Sequence, residues 1–89
     1  MPRYLVERTY PERFDIPLNE EGRQRCQAII DNDALDGVTW LHSYVLPDKR
    51  KSICVYDAPT PEAVRRAAQR SRLPLDRIIE VRIFDPHFL

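Results

Sequence analysis

Val38-Thr39-Trp40-Leu41-His42-Ser43-Tyr44-Val45-Leu46, then Pro47-Asp48-Lys49-Arg50, then Lys51-Ser52-Ile53-Cys54-Val55-Tyr56, is the stretch that decides the fold. Two runs rich in β-branched and aromatic residues flank a Pro-Asp turn signal, so they read as a β-hairpin. Downstream, Thr60-Pro61-Glu62 is a helix start: Thr caps, Pro takes the first helical position and Glu follows. Val64, Ala67 and Ala68 give that helix its buried stripe, and Leu73-Pro74 ends it. Arg77 to Phe84 reads as a further strand. Upstream, Asn19 caps a helix running from about residue 20 to about residue 34, with Cys26, Ile29 and Ile30 at helical spacing and Gly37 breaking the chain beyond it. Tyr4 to Arg8 is a first strand and Pro11 to Pro17 a loop.

The order strand, helix, strand, strand, helix, strand is that of an α+β, ferredoxin-like βαββαβ fold. It predicts a four-stranded antiparallel sheet, in the spatial order fourth, first, third, second, with both helices on one face. At 89 residues a single domain spanning 1–89 is expected. The other sheet face would be open and too apolar for water, which predicts a homodimer packed sheet against sheet as a dimeric α/β barrel.

Fourteen basic and 14 acidic residues cancel, which removes any general pull toward nucleic acid or an anionic membrane. No run approaches the roughly 20 apolar residues of a membrane-spanning helix, and Glu7 interrupts the start before any leader-like apolar core forms. A cytoplasmic location is expected, with Cys26 and Cys54 reduced. The arginine cluster at Arg65, Arg66, Arg70 and Arg72 and the Lys49-Arg50-Lys51 tip read as solvated charge. There is no phosphate loop, nucleophile elbow or zinc-protease helix.

The chemistry-bearing residues concentrate on the hairpin. Alternation along a strand groups Trp40, His42 and Tyr44 on one run and Cys54 and Tyr56 on the other. If those faces coincide, an imidazole, a thiol and phenols meet on the open face, a donor set for a soft or borderline transition metal. Glu80, Glu7, Cys54 and His42 would form a row across the middle of that face. A carboxylate there is costly unless it is coordinated or paired with an arginine such as Arg8 or Arg82. The candidate metal ligands are therefore His42, Cys54, Glu7, Tyr44 and Glu80, with Trp40 and Tyr56 as pocket walls. The aliphatic set Val6, Leu41, Val45, Ile53, Val55, Ile79, Val81 and Ile83 is expected to face the helices. Each candidate also has a plain structural reading: Cys54 as a small buried apolar residue, the aromatics as interface anchors, the glutamates as arginine partners.

Four segments carry a family likeness: Tyr4-Leu5-Val6-Glu7-Arg8; Val38-Thr39-Trp40-Leu41-His42-Ser43-Tyr44-Val45; Cys54-Val55-Tyr56-Asp57-Ala58-Pro59-Thr60-Pro61-Glu62-Ala63-Val64-Arg65; and Asp85-Pro86-His87-Phe88. Together they resemble a family of small proteins long labelled a domain of unknown function, typified by an actinobacterial nickel-binding protein with a ferredoxin-like, dimerising fold. The resemblance covers nearly the whole chain. It implies a small bacterial domain, a barrel-like dimer and nickel binding, with zinc or cobalt as related metals, and no established catalytic reaction. His87 stands where an aromatic residue is expected in relatives.

Three functions compete. The first is a nickel-binding protein acting in storage, buffering or sensing, with its site on the open face of a homodimer. The second is a cofactor-independent dimeric α/β-barrel enzyme of the monooxygenase or isomerase type, with His42 and a glutamate as acid and base. The third is a small-ligand-sensing interaction module.

Overall fold

A computed structural model describes residues 1–87; Phe88, the end of the last family-like segment, lies outside them. Six elements follow in the expected order: β1 (Arg3–Thr9), α1 (Glu20–Ala34), β2 (Thr39–Val45), β3 (Lys51–Asp57), α2 (Pro61–Ser71) and β4 (Arg77–Val81). All strand pairs are antiparallel and the sheet order is β2-β3-β1-β4, as the sequence predicts. The fourth strand ends at Val81 rather than Phe84, so Ile83 lies outside the sheet.

The caps are the ones the sequence announces. Asn19 accepts a hydrogen bond from the Gly22 N–H at 3.0 Å, and Thr60 accepts one from the Ala63 N–H at 3.1 Å. The hairpin turn uses Asp48, whose carboxylate accepts from the Arg50 N–H at 3.0 Å, and Lys49 in the left-handed region at φ 62°. Gly37, at φ 69°, makes the turn out of α1.

The core packs the sheet against α2. Tyr4 and Val6 of β1, Cys54 and Tyr56 of β3, and Ala63, Val64 and Ala67 of α2 form one buried cluster, with Trp40 and Ile78 packed on it. Three alanines on the buried stripe of α2 let its axis approach the strands closely. Helix α1 covers less. Its buried residues are Gly22 and Asp33, and Ile30 is 43% exposed.

The face assignment of the sheet is corrected by the register. Directly paired residues of an antiparallel ladder share a face. Val6 pairs with Cys54 and Ile78, and Tyr4 pairs with Tyr56 and Glu80. These residues therefore lie on the helix side, where the sequence predicts only Val6. A β-bulge between Trp40 and His42 then breaks the alternation of β2: Trp40 pairs with Tyr56 on the helix side, whereas His42 pairs with Val55. The open face accordingly carries Leu5, Glu7, Ile53, Val55, Ile79, Val81, His42 and Tyr44. Both faces are apolar, so hydrophobicity alone does not say which one the helices cover.

Candidate functional site

The proposed ligands separate onto the two sides of the sheet. His42 and Tyr44 stand two residues apart on the open face of β2, both exposed, their rings edge to face at 5.2 Å. Glu7 shares that face but lies across β3 from them, since Tyr44 pairs with Ile53 and Ile53 with Glu7. Two strand spacings put it about 10 Å away. Its carboxylate takes a 2.5 Å ion pair from Arg77, not from Arg8 or Arg82. Cys54 is buried on the opposite face, its thiol 3.5 Å from the Ser52 hydroxyl. Glu80 sits on the helix side of the edge strand β4.

The imidazole and the thiol cannot touch a common atom, because a sheet backbone lies between them. No cluster of three or more His, Cys, Asp or Glu side chains able to hold a metal occurs among the described residues. The donors of one chain do not fit a nickel ion by themselves.

Trp40 and Tyr56 do line a cavity, but it lies between the sheet and α1 rather than on the open face. Its volume is about 220 Å³, and its walls include Tyr10, Phe14, Cys54 and Ile29. The loop between β1 and α1 forms one wall. Tyr10 and Phe14 meet edge on at 5.7 Å, and the Tyr10 hydroxyl lies 2.6 Å from the Ser52 hydroxyl. Trp40 is oriented by its indole N–H, which donates to the Ser43 hydroxyl at 2.8 Å.

The cavity also contains a charge that the sequence reading took only as a partner for the glutamates. Arg8 is 3% exposed. Its guanidinium donates to the Pro74 carbonyl at 2.5 Å and to the Tyr56 hydroxyl at 3.1 Å, and it lies 5.9 Å from the Tyr56 ring centre. Its Nε has no hydrogen-bond partner among the described residues. Burial pushes the Tyr56 phenol up, partly offset by Arg8, so this hydroxyl stays protonated at neutral pH. Asp33 of α1 is buried nearby, with Oδ2 also without a hydrogen-bond partner among the described residues. Burial pushes its carboxyl up to about 6, against the pull of Arg8. The signal for Arg8 was present in β1: with Tyr4 and Val6 in the core, alternation places residue 8 on the same side.

No helix among the described residues is long and apolar enough to cross a membrane. The crystal structure of SCO4226 from Streptomyces coelicolor A3(2) superimposes with a TM-score of 0.73 at 19% identity, over 93% of this chain and 99% of that one, a likeness of fold. A comparison with curated proteins gives no match. The family model described as nickel responsive protein SCO4226-like matches residues 4–81, and the chain belongs to that family.

Proposed function

We propose that this chain is a small nickel-binding protein of the cytoplasm that works as a homodimer, two copies packing open face to open face as a dimeric α/β barrel. The family's description as nickel responsive supports the metal. The observation that carries the reading is His42: an exposed imidazole, braced by Tyr44, on a sheet face that also carries the part-exposed aliphatic residues Leu5, Ile53 and Ile79. One copy offers too few donors. A second copy brings another His42 and the carboxylate of Glu7 to the same interface, and imidazole, carboxylate and water suit nickel, with zinc and cobalt as chemical neighbours. Cys54 has no part in this site because it lies beneath the sheet.

Calorimetric titration of chelator-stripped protein with nickel tests it. Binding tighter than about millimolar is expected. Changing His42 to Ala weakens it by about tenfold or more, whereas Cys54→Ser leaves it unchanged. Absence of binding of nickel, zinc and cobalt, or loss of binding in Cys54→Ser alone, overturns the reading.

A further inference from the structure

We propose that the cavity between the sheet and α1 is a binding site for a small aromatic carboxylate, with Arg8 as the group that recognises the carboxylate. It goes beyond the nickel reading and does not depend on it, since it uses the opposite face of the sheet.

The size argues for a ring. A cavity of about 150 Å³ lined by aliphatic and aromatic side chains accommodates benzene, and the space here is about 220 Å³, enough for a ring plus a carboxylate. The walls argue for a flat one, because Trp40, Tyr56, Tyr10 and Phe14 present aromatic surface from three segments of the chain. The charge argues for an anion. A guanidinium that is 3% exposed carries a desolvation cost that its uncharged neighbours, the Pro74 carbonyl, the Tyr56 hydroxyl and the Cys54 thiol, only partly offset. Asp33 attracts it electrostatically but forms no ion pair with it among the described residues and does not line the cavity. A ligand carboxylate in the cavity that Arg8 lines would give the guanidinium a charged partner.

The rim carries the same sign. Exposed Arg25 and Arg72 stand against one carboxylate, Asp15, which Arg25 already pairs with at 3.3 Å. Arg72 occupies the left-handed region at φ 56°, a position where glycine or asparagine is the low-cost choice, and it holds its charge at the cavity.

The test uses the full chain, stripped of metal, titrated with benzoate, benzamide and inorganic phosphate. Trp40 is the only tryptophan, so its emission reports the cavity directly. Benzoate is expected to change that emission saturably, with benzamide, its neutral isostere, binding about tenfold or more weakly. Arg8→Lys should weaken benzoate by about tenfold, and Arg72→Gln, at an exposed site, by a smaller factor with the fold intact. Should Arg8→Lys fail to fold, the benzoate-to-benzamide ratio and Arg72→Gln decide. No saturation with benzoate up to about 10 mM, equal affinity for benzamide, or phosphate binding as tightly as benzoate each overturns the proposal.

Discussion

At the scale of single residues, the informative pair is Arg8 and Asp33, two buried ionisable groups each with a polar atom that finds no hydrogen-bond partner among the described residues. Their effect on stability has a definite sign. Burial raises the Asp33 carboxyl from an ordinary 3.8 to about 6, so between those values the folded chain holds a proton that the unfolded chain has released. Stability from this group is therefore present at low pH and is lost as pH rises through about 6. Asp33→Asn removes the charge penalty while keeping the shape. The variant is expected to be more stable than the parent at pH 7.5 by up to about 2 kcal/mol. The gain should shrink as pH falls below 6 and vanish near pH 4. Asp36 and Asp57 titrate the other way: hydrogen bonds from Arg70 and Arg66, and from Arg3, hold their carboxyls low. Both chains lose that contribution equally in acid, so the difference between parent and variant isolates Asp33. Urea melts at four pH values measure it, and a difference that does not change with pH would show that Asp33 is not titrating as its burial requires.

Secondary structure was legible because each element carries its own punctuation. Asn19, Gly37, Asp48, Thr60 and Pro61 mark ends that backbone chemistry dictates, and the six elements follow them in order. The faces of the strands were not legible. The bulge at Leu41 leaves no mark in composition, yet it puts Trp40 and His42 on opposite sides. Aliphatic residues such as Ile53 and Ile79 look like core, whereas the residues under the helices include Tyr56, Cys54 and Arg8. Cys54 and Glu80 part from His42, Tyr44 and Glu7 for this one reason: local alternation was readable, but register between strands is a tertiary fact. One element boundary was read for its cap alone and holds more. Gly22, in the first turn of α1, meets the Pro17 carbonyl so closely that a Cβ built there falls 1.7 Å from its oxygen. That contact is with backbone, so it cannot be relieved by a side-chain rotation. Gly22→Ala is therefore expected to destabilise by about 1–3 kcal/mol, despite the better helix propensity of alanine. A thermal melt showing Gly22→Ala equal to or more stable than the parent would mean that the loop from residue 11 to 17 shifts freely away from α1.

For the molecule as a whole, the governing fact is a sheet face, opposite the helices, on which the aliphatic residues Leu5, Ile53 and Ile79 stay part-exposed among the described residues. The rim of that face is charged but balanced: Arg3 pairs with Asp57 at 2.9 Å and Arg77 with Glu7 at 2.5 Å. A second copy therefore meets no net repulsion, and its own aliphatic residues there are the complementary surface a two-fold axis requires. Ile53 is the residue on which to test this, being half-buried on the central strand β3, between Glu7 and Tyr44. In a free chain, Ile53→Lys places an ammonium beside the Glu7 carboxylate, a tolerable cross-strand pair at a partly wet position. In a face-to-face dimer the same change buries two ammonium groups near the axis, at a cost of several kcal/mol each after relaxation. The parent chain is thus expected to show twice the chain mass by light scattering at about 100 μM. Ile53→Lys should show the monomer mass with unchanged far-ultraviolet circular dichroism. Nickel binding should fall with the dimer, because a site shared between copies cannot outlast their separation, while benzoate binding at the opposite face should persist. A monomeric parent, or an Ile53→Lys chain that still dimerises, removes the open face as the interface and takes the shared nickel site with it, leaving the internal cavity untouched.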